Sequence, residues 1–290
     1  MTRSASAPPV LKRLLLSLAT AVFAAGLLGP GVAQAARVQH RDELIPLYDS
    51  SSDPSFTGDW QHACSQSFGG HGGSYVIADP QPGSGPGAAP AQAWSAVFTH
   101  CHQYGRASVL GYVYTSYGAR SISAIEQDIN NWYSFYPGHI AGIFFDQVSD
   151  ALPGTTTSNK AFYQTLASYV HQHEGNNDEV VFNFGANPSS GWMLAASAVK
   201  NADIVVTFEG SYNDLGLGPY TAWTQAHWEN AYPASDFAAL IYDAANPAYA
   251  SPTSYLNACG SLANQHLGYV YVGTWYNTLP SFWSSFLSAC

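Results

Sequence analysis

The stretch that decides the fold reads IAGIFFD and runs from Ile140 to Asp146. It stays apolar until a single carboxylate, and such runs are typical of a strand that is buried on both faces of a parallel sheet. The segment before it, Ser123–Phe135, has helical periodicity instead. A strand that follows a helix at this spacing indicates a βαβ unit.

The same arrangement recurs along the chain. The strand-like runs are Leu44–Tyr48, Ser74–Ala78, Ser108–Tyr114, Ile140–Phe145, Glu179–Phe184, Asp203–Phe208, Phe237–Tyr242 and Gly268–Trp275. Helical patterns lie at Ser123–Phe135, Lys160–His173, Tyr220–Asn230 and Ser254–Gln265. The polar or aromatic residues at or next to the ends of successive runs are 26 to 37 residues apart, which leaves room for one helix each. Eight such units predict a single-domain α/β protein, a closed (β/α)₈ TIM barrel, rather than a doubly wound sheet.

The first 35 residues are expected to lie outside the barrel. Basic residues up to Arg13 precede an apolar run, Leu14–Leu28, and Ala33-Gln34-Ala35 then offers a cleavage site. This order is typical of a secretory signal peptide. An uncleaved membrane anchor is the alternative, but the run is short for a spanning helix and Gly26 interrupts it. We therefore expect a signal peptide at 1–35, a barrel domain at 36–290 and an extracellular protein.

The net charge of the chain limits the classes of partner that it can bind. The formal net charge is −10, with nine basic and 19 acidic residues. Three of the basic residues and none of the acidic ones lie in the leader, so the remaining chain carries a net charge of −13. Such a surface repels nucleic acid and anionic lipid, and we expect neither as a partner. It attracts a cationic polymer such as a polysaccharide with free amino groups, although the charge alone favours the simpler explanation, solubility outside the cell. We expect a monomer.

The four cysteines fit two disulfides in an exported protein. No C-x-x-C pair indicates a zinc ribbon, and four cysteines allow three connectivities. In the predicted barrel, Cys64 and Cys101 lie on the first and second helices, and Cys259 and Cys290 on the seventh and eighth. We predict the pairs Cys64–Cys101 and Cys259–Cys290, because each joins neighbouring helices.

Polar side chains follow most of the predicted strands. Carboxylates stand at five strand ends and an amide at a sixth: Asp49, Asp79, Asp146, Asn183, Glu209 and Asp243. The carboxyl ends of barrel strands meet at one mouth, where such groups repel one another unless they bind a cation or act on a sugar. The paired histidines are spaced i, i+2 and face different sides of their helices, so we expect no metal and no cofactor. A calcium site made of oxygen ligands stays open.

Hydrolysis of a glycosidic bond fits these residues better than metal binding does. Glycosidic cleavage needs two carboxyl groups, and aromatic rings favour sugar binding. Asp146 and Glu209 each follow an apolar strand tail, which raises a carboxyl pKa and suits a general acid. The other acids lie in more polar loops and suit substrate binding, although an N-cap role stays open, most of all for Asp79. The predicted substrate-binding residues are Tyr48, Asp49, Asp79, Tyr114, Gln147, Asn183, Tyr212, Asp243 and Trp275.

Five short motifs carry a resemblance to a known family. They are IPLY at 45–48, GYVYT at 111–115, GIFFD at 142–146, NFG at 183–185 and TFE at 207–209. In this order, at barrel spacing, they resemble the spherulin-4 family, which includes glycoside hydrolase family 135. The resemblance implies an endo-acting TIM-barrel hydrolase that cleaves α-1,4 linkages in galactosamine- or N-acetylgalactosamine-containing polysaccharide, such as galactosaminogalactan. It also implies that Asp146 and Glu209 are the catalytic acids.

One position departs from the family pattern. Fungal members carry Asp-Glu after the fourth strand, whereas this chain has Asp146-Gln147. Asp146 would then be the nucleophile or stabiliser and Glu209 the acid/base, with exchanged roles as an alternative. Retaining and inverting mechanisms both stay open. Gln147 also motivates a second hypothesis, a carbohydrate-binding or wall-associated protein without turnover. A metal-dependent deacetylase is a third.

Overall fold

The computed structural model describes residues 41–67, 73–151, 154, 158–173, 178–189, 204–212, 220–244, 261 and 265–289. The predicted leader at 1–35 lies outside these residues. Within them, no helix is both long enough and apolar enough to cross a bilayer.

Eight parallel strands close into a barrel in the order β1 to β8. They are β1 Asp42–Leu47, β2 Ser74–Ala78, β3 Ala107–Tyr114, β4 Ile140–Asp146, β5 Glu179–Asn183, β6 Ile204–Ser211, β7 Phe237–Tyr242 and β8 Tyr269–Val272. The barrel closes where β1 pairs with β8, with Asp42 opposite Tyr269. The predicted TIM barrel is therefore confirmed.

Two strands end three residues away from the predicted end. β6 continues to Ser211, so Glu209 lies inside the strand rather than after it, paired with Leu240 of β7. β8 ends at Val272, which leaves Trp275 in the loop beyond. β6 is longer because Glu209, Gly210 and Ser211 still pair with β7, and this pairing depends on backbone groups rather than on side-chain polarity.

Helices cover the outside of the barrel. They are α1 Phe56–Gln66, α2 Gln92–Tyr104, α3 Ile122–Phe135, α4 Lys160–His173 and α5 Trp283–Ala289. In α3, the Ser121 side chain caps the helix by accepting a hydrogen bond from the Ala124 amide. Ile125, Ile129 and Trp132 recur at helical spacing and are fully buried against the barrel.

The predicted helix at Tyr220–Asn230 is wrong. Two short 3₁₀ helices, Tyr220–Ala222 and His227–Ala231, replace it. Its aromatic rings pack locally instead of forming one helical face, as Tyr220 packs against Phe208 at 5.5 Å between centroids. Of the predicted helix Ser254–Gln265, only residues 261 and 265 are described.

A disulfide joins α1 to α2, as the sequence predicts. Cys64 and Cys101 are bonded, with Cα atoms 4.9 Å apart. Beside this bond, Trp60 packs edge-on against Trp94 and Phe98, at centroid distances of 5.4 Å in both cases. The second predicted pair, Cys259–Cys290, lies outside the described residues.

Candidate active site

Two carboxylates at the mouth share one hydrogen-bond donor. The side-chain nitrogen of Asn183, at the end of β5, donates to Asp146 Oδ1 at 2.8 Å and to Glu209 Oε2 at 2.5 Å. The three residues stand on the neighbouring strands β4, β5 and β6. The structure therefore brings together three of the residues that the sequence assigns to the site.

The orientation of the Asn183 amide follows from its other end. Asn183 Oδ1 accepts a hydrogen bond from the Gly185 amide at 3.0 Å, which directs the NH₂ group to the carboxylates. Asn183 is 4% exposed, so water does not compete freely for these bonds. The bridge is thus a fixed part of the fold.

Asp146 has a second donor that the sequence did not identify. The Tyr112 hydroxyl, on β3, donates to Asp146 Oδ2 at 2.7 Å. Tyr112 faces the barrel interior because its neighbour Gly111 faces α3, where an added Cβ would come within 2.5 Å of Trp132. Strand alternation from Gly111 in the GYVYT motif is the signal that finds this residue.

Glu209 is set up to hold a proton near neutral pH. Burial and, after it, the negative charge of Asp146 together raise the pKa of Glu209 to about 7, against hydrogen bonds from Asn183 and Tyr276 that lower it. Two partly buried tyrosines, Tyr48 and Tyr276, border the pair. Burial and the charge of Glu209 raise the pKa of both Tyr48 and Tyr276, which therefore stay neutral. Tyr276 was not among the predicted site residues.

Asp49 and Asp79 differ from the sequence interpretation, which placed them in polar loops. Both are 1% exposed. Asp79 accepts hydrogen bonds from the Gly83 and Gly85 amides at 2.5 and 3.0 Å, so its carboxylate holds its own loop. Burial raises the pKa of each to about 7. The neighbouring charge that acts on Asp79 is that of Asp146.

Asp49 lies apart from the carboxylate pair. Neither of its carboxylate oxygens has a hydrogen-bond partner among the described residues. After burial, the charges that raise its pKa are those of Asp59 and Asp53, on the side of α1. Asp49 is therefore a buried acid beside the mouth and not a member of the Asp146–Asn183–Glu209 group.

The remaining predicted residues stand on the rim. Trp275 is 52% exposed and packs against Tyr242 at 5.2 Å between ring centroids. Tyr212 stacks on Tyr220 at 6.4 Å. The guanidinium of Arg120 covers one face of Tyr114, 4.0 Å from the ring centroid.

Several rim residues have a backbone conformation that side chains disfavour. Positive φ angles occur at Ser116 (51°), Tyr117 (56°), Gln147 (55°) and Asp243 (57°), which are all the non-glycine cases in the described part of the chain. All four follow barrel strands at the mouth. Strain of this kind costs about 1–3 kcal/mol per residue and concentrates at functional sites.

The described residues contain no group of three or more His, Cys, Asp or Glu side chains arranged to hold a metal ion. The central carboxylates are instead bonded to an amide and a phenol. This arrangement suits acid–base chemistry, with one carboxyl that keeps a proton and one that is held by two donors.

The fold and the residues at the mouth of the barrel define the class of protein. It is a TIM barrel with a hydrogen-bonded carboxylate pair at the carboxyl ends of its strands. A family model, spherulation-specific family 4 (Spherulin4), matches residues 44–290. The chain belongs to this family.

The proteins that this chain resembles include a curated relative and a fungal protein of known structure. Spherulin-4 of Physarum polycephalum is 29% identical over 227 residues, which are 75% of this chain and 62% of that protein. The chain thus spans less than two thirds of the length of this relative. The crystal structure of Aspergillus clavatus Sph3 in complex with GalNAc superposes with a TM-score of 0.62 at 20% identity, over 87% of this chain and 98% of Sph3. This likeness confirms the fold.

Proposed function

We propose that this protein is a secreted, endo-acting glycoside hydrolase that cleaves α-1,4-linked polysaccharide containing galactosamine or N-acetylgalactosamine. Asp146 and Glu209 are its catalytic carboxylates. The observation that carries the proposal is the Asn183 bridge, which holds both carboxylates within hydrogen-bonding distance of one nitrogen.

The distance between the carboxylates favours a retaining mechanism. Asp146 Oδ1 and Glu209 Oε2 can be no farther apart than the sum of their distances to Asn183, which is about 5 Å. Retaining glycosidases have carboxyl groups about 5–5.5 Å apart, whereas inverting enzymes need about 6.5–9.5 Å to admit water.

The environments of the two carboxyl groups support a different role for each. Glu209, with its pKa near 7, protonates the glycosidic oxygen while that bond breaks. An Asp146 oxygen, aligned by Tyr112 and Asn183, bonds to the anomeric carbon. Glu209, now ionised, takes a proton from water, whose oxygen displaces Asp146 from the sugar. One water is consumed, and both carboxyl groups return to their starting states.

Three observations support the substrate class. The chain belongs to the Spherulin4 family, and Sph3, which shares its fold, was crystallised with GalNAc. The acidic chain, with a formal net charge of −10, attracts a polymer that carries free amino groups. The leader-like start of the sequence supports secretion.

The test is hydrolysis of purified galactosaminogalactan, followed by the release of reducing ends. Asp146→Asn and Glu209→Gln should each lower kcat by at least about a hundredfold, because each removes a group that reacts. Glu126→Gln, in α3 of the outer ring, is the matched control and should keep the wild-type rate.

The outcomes separate the competing functions. A wild-type protein that binds the polymer but releases no reducing ends would be a carbohydrate-binding protein without turnover. Release of acetate that a chelator abolishes would instead indicate a metal-dependent deacetylase. If Glu209→Gln keeps the full rate of hydrolysis, the assignment of the acid is wrong although the enzyme class stands.

A further inference from the structure

Exposed aromatic rings lie at both ends of the barrel, two at the mouth and one at the opposite end. Tyr104, Tyr117 and Trp275 are the large apolar side chains that are strongly exposed in the described part of the chain, at 54, 56 and 52%. Tyr117 follows β3 and Trp275 follows β8, so both stand at the mouth. Tyr104 ends α2, which runs antiparallel to the strands, and therefore lies at the opposite end.

The strand order places the carboxylates between the two exposed aromatic rings at the mouth, those of Tyr117 and Trp275. Going round the barrel from β3 to β8 through β4, the rim carries Tyr117, Asp146, Glu209 and Trp275 in that order. Tyr117 and Trp275 thus lie on different sides of the carboxylate pair. A polymer bound across the mouth can contact one ring on each side of the bond that is cleaved.

The loop that carries Tyr117 is firmly held. The Tyr117 amide donates to the Gln147 carbonyl at 2.8 Å, and the Thr115 hydroxyl donates to the same carbonyl at 2.6 Å. The side-chain nitrogen of Asn159 donates to the Tyr117 carbonyl at 3.3 Å. Thr115 and Asn159 are buried. The loops after β3 and β4 therefore form one rigid lip.

Three consecutive residues of the lip have positive φ angles, which the surrounding structure must stabilise. Ser116 and Tyr117 are consecutive non-glycine residues with φ angles of 51° and 56°. Gly118 follows at +83°, and a Cβ there would come within 2.6 Å of the Asn159 amide. Such strain persists only where the surrounding structure enforces it, and an observed outlier of this kind points to function.

The ring of Tyr117 is exposed and can contact a ligand, whereas one face of the Tyr114 ring is covered. Arg120 covers one face of Tyr114 and also donates to the Tyr114 carbonyl at 2.7 Å. Tyr117 is 56% exposed, although burial of a tyrosine ring would normally stabilise the fold. A rigid, exposed aromatic face suits the apolar C–H face of a sugar ring, at little cost in conformational entropy.

We propose that Tyr117 forms a separate sugar-binding subsite that stacks on one pyranose ring of the polysaccharide, on the opposite side of the carboxylate pair from Trp275. This inference rests on the proposed function for its polymeric substrate. It adds that binding extends past the reacting ring on the side of the β3–β4 lip.

The experiment measures equilibrium binding in the full-length Glu209→Gln protein, so that hydrolysis does not interfere. The probe is purified galactosaminogalactan included in a native gel. Adding Tyr117→Ala should raise the Kd for the polymer roughly three- to tenfold, the range expected for one lost stacking contact. Tyr117→Phe keeps the ring and should bind as the parent does. Tyr104→Ala removes an equally exposed tyrosine at the other end and should also leave the Kd unchanged.

A second probe shows whether the effect is local. Free N-acetylgalactosamine fills one ring position, so its affinity should not change with Tyr117→Ala. The inference is overturned if Tyr117→Ala binds polymer as the parent does, if Tyr104→Ala causes the same loss, if the monosaccharide is lost equally, or if the parent does not bind the polymer.

Hydrolysis by the wild type is measured separately, which distinguishes the two claims. Release of reducing ends without dependence of binding on Tyr117 refutes the subsite alone. Binding that depends on Tyr117, in a protein that releases no reducing ends, refutes the hydrolase and upholds the subsite.

Discussion

The hydroxyl of Tyr112 donates a 2.7 Å hydrogen bond to Asp146, across the neighbouring strands β3 and β4. Hydrogen bonds to a charged group contribute about 1.5–3 kcal/mol. Tyr112→Phe keeps the ring, which packs at 5.6 Å from Tyr48, and removes only this donor. We expect kcat to fall about tenfold or more, and the melting temperature to fall by several degrees because the same bond stabilises the fold. Unchanged kcat would show that Asp146 needs no alignment by Tyr112.

The pKa of Glu209 predicts how the rate depends on pH. Burial raises this pKa from 4.5 to about 7, so Glu209 keeps its proton in the acidic range and loses it as the pH rises through about 7. A general acid must be protonated, and kcat/KM should therefore fall on the alkaline side of about pH 7. Measurement of kcat/KM from pH 4 to 9 checks this. An activity that rises steadily through pH 8 would contradict the role of Glu209 as acid.

Asn183→Ala should shift the alkaline limb of the pH–rate profile to higher pH. The Asn183 hydrogen bond stabilises ionised Glu209 and lowers its pKa, against burial and the charge of Asp146. Without this bond the pKa of Glu209 rises, so activity should persist to higher pH while kcat falls. A purely structural role for Asn183 would lower the rate without shifting the limb, and that result would refute the bridge as a positioning device.

The sequence predicted the barrel well because parallel strands buried on both faces leave a strong apolar signal. The runs Ser74–Ala78 and Phe237–Tyr242 match β2 and β7 residue for residue. The closeness of Asp146, Asn183 and Glu209 followed from the same logic, since the carboxyl ends of neighbouring strands meet. Burial was harder to predict. Polar flanking residues suggested an open setting for Asp49, whose side chain is turned inward by tertiary packing that no local pattern records.

Asp49→Asn should stabilise the protein in a pH-dependent way. Burial, with the charges of Asp59 and Asp53, raises the pKa of Asp49 from 3.8 to about 7. Between these values the unfolded chain releases the proton while the folded chain keeps it, so this group makes the fold less stable as the pH rises. The variant removes that cost. We expect the melting temperature to rise by roughly 3 °C or more at pH 8 and to change much less at pH 4, where the unfolded chain has only begun to release this proton. An equal effect at both pH values would exclude titration of Asp49 as the cause.

Gln147→Gly tests whether two carboxylates suffice where fungal members of the family carry a third. Gln147 has a φ of 55°, which glycine adopts without strain. The strain that is relieved and the added entropy of the unfolded chain are each about 1 kcal/mol, so stability should change little. The Gln147 carbonyl still accepts the Thr115 and Tyr117 hydrogen bonds, which keeps the lip in place. If Gln147 only contacts substrate, KM should rise a few-fold while kcat stays within about threefold of wild type. A hundredfold loss of kcat would instead show that the Gln147 amide takes part in the reaction, as a substitute for the missing acid.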